Sequence, residues 1–139
     1  RLTLSAPSAG SRLGAQRSAV VHLTDDDAAP VVSFATAIVR TGEGSGTVTV
    51  HIVRDASALA GSVTLKMANS IATSPADFTA TASVVVAFAA GQSDATVVIP
   101  IVEDALVEGD ETFTVTLASP VGGVLGTLQR AVVVILDND

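Results

Sequence analysis

Residues 103–117 read EDALVEGDETFTVTL. In the second half of this stretch Thr112, Thr114 and Thr116 alternate with Phe113, Val115 and Leu117. A period of two, with β-branched polar residues on one face and apolar residues on the other, marks a half-buried strand. The first half holds five of the chain's fourteen acidic residues, Glu103, Asp104, Glu108, Asp110 and Glu111, and must form the loop that leads into that strand.

The same alternation recurs outward from this stretch. Runs rich in Val, Ile and Thr predict strands over 31–40, 47–54, 63–67, 82–88, 95–102, 112–118 and 130–136. Gly, Pro, Ser and Asp fill the gaps, as turn chemistry requires. No segment gives an amphipathic helix of three or more turns. The strand spacing predicts an all-β fold, a seven-stranded antiparallel Greek-key sandwich of immunoglobulin type. Pro100 has no N–H for a ladder and is expected at an edge or bulge.

Composition narrows the function classes. The 139 residues are 48 % hydrophobic, mostly Val and Ala, with four Phe and no Trp or Tyr. The net charge of −7 speaks against nucleic acid and anionic membranes as partners and suits a module that attracts cations. Without Cys there is no disulfide, thiol nucleophile or Cys-type zinc site. The longest uncharged runs, 78–93 and 112–129, contain Gly, Ser and Thr, so no direct membrane insertion is expected. Lacking an initiating Met and a signal peptide, the chain reads as a piece of a longer protein.

No catalytic constellation emerges, and the chain reads as a non-enzyme. His22 and His51 lie on predicted strands without a Ser or Cys motif to activate. The glycine-rich run 42–46 lacks the Gly-Lys-Ser/Thr of a phosphate loop and leads into a strand. Paired carboxylates without Trp or Tyr to build a sugar platform make a poor glycosidase.

The chain repeats itself. Leu2-Thr3-Leu4-Ser5-Ala6-Pro7 matches Val115-Thr116-Leu117-Ala118-Ser119-Pro120, and Leu13-Gly14 matches Leu125-Gly126. Ala19-Val20-Val21-His22-Leu23 matches Ala131-Val132-Val133-Val134-Ile135, and Asp25-Asp26-Asp27 matches Asp137-Asn138-Asp139. A period of about 112 residues is one sandwich per repeat, far longer than a solenoid unit. Residues 1–27 therefore read as the C-terminal hairpin of a preceding repeat and 28–139 as one complete sandwich.

If each strand reverses the direction of the one before, the acids sort by end. One end collects Glu43, Asp77, Glu103, Asp104, Glu108, Asp110, Glu111, Asp137 and Asp139; the other receives Asp55 and Asp94. Like charges about 4 Å apart repel by ~1 kcal/mol in water and ~4 kcal/mol at an effective dielectric of 20. Such an end raises its pKa values, splays its loops or binds a cation. Oxygen ligands without His or Cys select calcium, whose six to eight ligands call for convergent loops. The alternative is a set of solvated turn residues.

These segments resemble the Calx-beta repeat. The resemblance rests on Glu43-Gly44-Ser45-Gly46-Thr47, Ala76-Asp77-Phe78, Ile101-Val102-Glu103-Asp104, the run 107–117 and the closing Ile135-Leu136-Asp137-Asn138-Asp139. It covers 30–139, with 1–27 similar to the end of a second copy. It implies a seven-stranded sandwich that binds Ca2+ through loops at one end. The implied ligands are Glu43, Asp77, Glu103, Asp104, Glu108, Glu111, Asp137 and Asp139, with Asp110 left as a turn residue facing solvent. Asp25, Asp26 and Asp27 would serve the preceding copy. Two departures reduce charge: Glu103-Asp104 is followed by Ala105, and Asn138 replaces an acid. They imply a weak site, nearer the 10⁻⁴–10⁻³ M of extracellular modules.

The expectation is a calcium-binding module of a tandem array in a secreted or cell-surface protein, the ion stiffening the junction with neighbouring repeats. The alternative is an ion-free structural or adhesive spacer that mediates protein contacts. The hairpin from Leu2 to Leu23 has an apolar face, Leu4, Ala19, Val21 and Leu23, and is expected to contact a protein partner or self-associate.

Overall fold

The computed structural model describes residues 1–24, 28–55 and 59–139. Asp25, Asp26 and Asp27 lie outside the described residues.

Two sheets face each other. The first has the order β10-β3-β5-β8, from β3 (Val31–Phe34), β5 (Thr47–Arg54), β8 (Asp94–Pro100) and β10 (Val124–Leu125). The second, β4-β11-β9-β6-β7, is built from β4 (Ile38–Gly42), β6 (Gly61–Asn69), β7 (Val84–Phe88), β9 (Glu111–Val121) and β11 (Arg130–Leu136). The short strands β1 (Leu2–Thr3) and β2 (Ser18–Ala19) form a separate hairpin. This is an all-β immunoglobulin-like sandwich. Among the described residues, no helix is long and apolar enough to cross a membrane.

Alternation explains the core. Val48, Val50 and Ile52 of β5 point inward against Phe113, Val115 and Leu117 of β9 and Ala131, Val133 and Ile135 of β11, all buried. Pro100 sits on β8, an edge strand, where its missing donor costs nothing.

Two expectations are corrected. The predicted strand over 31–40 is two strands in opposite sheets, β3 against β5 and β4 against β11. The chain crosses between sheets at Ala35, Thr36 and Ala37, three small exposed residues. Ala35 N–H donates to His51 C=O at 3.0 Å on one side, and Val132 N–H donates to Ala37 C=O at 2.9 Å on the other. With β10 this gives the sandwich nine strands rather than the expected seven, and the β1–β2 hairpin brings the total to eleven among the described residues. The ladders are also not all antiparallel, because β4 runs parallel to β11 and β10 parallel to β3. The crossover causes the first: it delivers β4 to the far sheet in the direction of β11.

The end away from the main acidic cluster is closed by a buried cation. Arg54, in phase with the inward residues of β5, donates from Nε to Gln92 C=O at 2.8 Å and from Nη2 to the carbonyls of Ala89 at 2.8 Å and Leu59 at 3.0 Å. Its guanidinium lies 4.8 Å from the centroid of the Phe88 ring. Asp55 and Asp94 serve this end structurally: Val31 N–H donates to Asp55 Oδ2 at 3.2 Å, and Asp94 Oδ2 lies 3.4 Å from His51 Nδ1.

Candidate metal centre

Strand register places the acids. Gly42 of β4 opposes Leu136 of β11, so Glu43 and Asp137 leave adjacent strands side by side. Glu111 opposes Ile135, which puts it two residues from Asp137. Asp77 comes from the β6–β7 connection, staked by the fully buried Phe78 that follows it. The Phe78 ring stacks on Phe113 with centroids 3.9 Å apart and planes 9° apart. Asp77 N–H donates to Thr73 C=O at 2.9 Å, Thr73 N–H donates to Asp77 Oδ2 at 2.6 Å, and Val102 N–H donates to Asp77 C=O at 3.0 Å. The connection is thereby a fixed platform for one carboxylate.

Among the described residues, six carboxylates converge as two groups, Glu43 with Asp137 and Asp139, and Asp77 with Glu108 and Glu111. Within each group the available oxygens lie within 4.8 Å of one another. A recess of about 10 Å³ opens between the groups, lined by Glu43, Asp77, Glu108, Gly109, Glu111, Ile135 and Asp137. That is about the space of one water-sized guest. The donor set is all oxygen and suits a hard cation.

Glu103 and Asp104 stand beside these groups rather than in them. Asn138 Nδ2 donates to Glu103 Oε1 at 3.1 Å, and Gly44 N–H donates to Asn138 Oδ1 at 3.3 Å, so a neutral amide ties Glu103 to the turn after β4. Asp104 Oδ1 accepts from Leu106 N–H at 2.8 Å, closing its own turn. Asp110 is exposed. Main-chain donors of the 108–109 turn, which side-chain reading passes over, also belong to the site: Asp137 Oδ2 accepts from Gly109 N–H at 2.9 Å and Glu108 N–H at 3.3 Å. Gly109 reaches this position at φ +78°, and the Glu-Gly-Asp turn was its sequence signal.

The electrostatics follow from this placement. The Gly109 and Asp139 N–H groups hold the Asp137 carboxyl below its ordinary value. Glu43, which is buried, is pushed up by loss of solvent and by the charges of Asp104, Glu103 and Asp139, against a lowering contribution from the Asp104 backbone. Glu108 is also raised, by desolvation first and then by Asp104, Asp77 and Asp137. Glu111 rises furthest, to about 7, through burial, the Asp77 charge, a shared hydrogen bond with Asp77, and Glu108 and Glu43.

A pH dependence results. An acid raised in the folded state keeps its proton where the unfolded chain has lost it, so folding is favoured at low pH and the advantage disappears as pH rises through the folded value. In chelator, the melting temperature is expected to fall between pH 4.5 and about 7. The lowered Asp137 acts below the ordinary aspartate value of 3.8, outside this window. Melts at pH 5 and 8 check this, and Glu111→Gln should flatten the difference.

The Calx-beta domain family model matches residues 25–139. The apo form of the Calx CBD1 domain superimposes with a TM-score of 0.74 at 28 % identity, covering 80 % of this chain and 99 % of that one. CBD12 of CALX1.1, described as a calcium binding domain, matches with a TM-score of 0.74 at 26 % identity over 78 % of this chain and 46 % of that one, and CBD12 from CALX1.2 at 0.74 and 27 % over the same shares. The chain thus spans under half the length of these tandem structures. The Calx CBD2 domain, at 17 % identity and a TM-score of 0.72, shares the fold. With a family match over most of its length, this chain is a member of the Calx-beta domain family.

Proposed function

We propose that the sandwich binds calcium at its acidic end and that the ion stiffens the junction with a neighbouring repeat in a secreted or cell-surface protein. The observation that carries this reading is the convergence of six carboxylates from four separate segments, five of which line one recess. Calcium takes six to eight oxygens at 2.3–2.6 Å in flexible geometry, which loops from several strands supply and a single loop does not. Glu43, Asp77, Glu108, Glu111, Asp137 and Asp139 would hold the ion, which would supply the positive charge that this end lacks. Glu103 and Asp104 flank this ligand set as proposed outer members, and Asp25–Asp27 would serve the corresponding site of the preceding copy. The proposed role is binding rather than catalysis.

Burial of Glu43 and the raised pKa of Glu111 both oppose ion entry, which supports a weak site fitted to the millimolar calcium outside cells. Calorimetric titration at pH 7.5 tests the reading: saturable binding with Kd near 10⁻⁴–10⁻³ M is expected. No heat up to several millimolar calcium would leave an ion-free adhesive spacer, with Asn138 and the main-chain donors satisfying the acids by themselves.

A further inference from the structure

The hairpin of β1 and β2 duplicates the geometry of β9 and β11. Leu2 opposes Ala19 and Thr3 opposes Ser18; their counterparts in the repeat pair the same way, Val115 with Ala131 and Thr116 with Arg130. Leu4 N–H donates to Arg17 C=O at 2.9 Å, as Leu117 N–H donates to Gln129 C=O at 2.8 Å. The only non-glycine residues at positive φ among the described residues are Ala6 at 50° and Ser119 at 49°, equivalent positions that each precede a proline. The hairpin holds the register of a sandwich's closing strands without the sandwich around it.

Burial gives the second half of the argument. Val115, Leu117, Ala131, Val133 and Ile135 are at most 4 % exposed and line the core. Their counterparts Leu2, Leu4, Ala19, Val21 and Leu23 are apolar without exception, yet all are exposed, Leu23 by 95 %. Charge points the same way. Residues 1–24 carry Arg1, Arg12 and Arg17 and no acid, whereas 28–139 carry four basic residues against eleven acids, a net of −7.

We propose that residues 1–24 are the closing hairpin of a second sandwich, and that their exposed face is a docking surface for the front part of a homologous repeat, equivalent to residues 30–114. In the complete sandwich β9 lies between β11 and β6, and β11 lies between β9 and β4. The free edge of β1 therefore takes a β6-type strand, the free edge of β2 a β4-type strand, and the five apolar residues face the opposite sheet of that repeat. This does not rest on calcium binding.

The test is an extended chain in which residues 30–114 are placed directly ahead of residues 2–139, compared with the 139-residue chain by amide hydrogen exchange in chelator. Peptides covering 2–4 and 17–23 are expected to exchange at least about 100-fold more slowly in the extended chain, which stays monomeric. Leu4→Asp/Val21→Asp in the extended chain should abolish that protection while strands β5 to β11 stay protected, which controls for folding. Equal hairpin exchange in both chains, with the original sandwich intact, would overturn the proposal. So would protection that survives the double substitution. Equal protection in a dimer of the 139-residue chain would give the face to a second copy and overturn it as well.

Discussion

Phe78→Ala is expected to lower stability by about 3–5 kcal/mol and to release Asp77 from the acidic end. The ring is fully buried, stacks on Phe113 and sits beside Ile101, with which it forms an isolated bridge. Removing it leaves a ring-sized cavity between the two sheets, and an aromatic stack of this kind adds about 0.5–1.5 kcal/mol beyond its buried area. Few side chains could refill that space, because among the described residues twelve of the twenty in the buried core are Val or Ile, whose rotamers are stiff. The functional consequence comes through the backbone. Asp77 N–H and C=O are held by Thr73 and Val102, but the buried side chain next door fixes the turn to the sandwich. Urea unfolding at 25 °C measures the loss as a shift in midpoint at unchanged slope. Phe78→Leu, which keeps most of the volume, should cost less than about 2 kcal/mol and retain the response to calcium. A loss below about 1.5 kcal/mol in Phe78→Ala would mean that Asp77 is placed by its loop alone.

Most of the strands were legible because alternation survives into the structure nearly unchanged. The strands over 47–54 and 130–136 end where the apolar period ends. The break at 35–37 was not legible. Val32 and Phe34 are in phase for one face, and Val39 continues an apolar run, so nothing local shows that β4 belongs to the other sheet. That choice is made by partners far along the chain, His51 on one side and Val132 on the other. Val124–Leu125 is too short for any period to register. Arg54 stands in phase with the core residues of β5, a place where alternation alone expects an apolar side chain; three carbonyls and the Phe88 face make it tolerable.

The same division holds at the acidic end. That loops meet there follows from strand reversal, which the sequence pattern shows. Their partition does not. Glu103 and Glu111 look alike in the sequence, yet one is tied to the amide of Asn138 and the other is buried and pressed against Asp77 until its pKa rises to about 7. The difference comes from a side chain 35 positions away and from the register of Glu111 against Ile135. The first copy carries Asp26 where this one has Asn138, so the amide that secures Glu103 is specific to this repeat.

Glu108→Gln/Glu111→Gln is expected to reverse its effect with calcium. In chelator at pH 8, above the Glu111 value of about 7, the wild-type chain holds three ionised carboxylates whose oxygens lie within 4.8 Å. Gln keeps the shape and removes two of those charges, so the variant should melt higher than wild type by a few degrees. In calcium the order inverts. A ligand that binds only the folded state stabilises it by RT ln(1 + [L]/Kd), about 2.7 kcal/mol at a hundredfold excess over Kd. For a domain of this size that corresponds to roughly 10 °C in melting temperature. The variant keeps Glu43, Asp137, Asp139 and Asp77 but loses two of the three carboxylates of the second group, so its calcium shift should shrink to a small fraction of that. Magnesium provides the control. It demands octahedral geometry at 2.0–2.1 Å and gives up water reluctantly, so its shift on the wild-type chain should be well below that of calcium. Crossing curves would show that the repulsion relieved by Gln and the ion affinity lost with it come from the same carboxylates. A variant that melts higher than wild type by the same margin with and without calcium would show the repulsion alone, and the acidic end would then be a solvated cap.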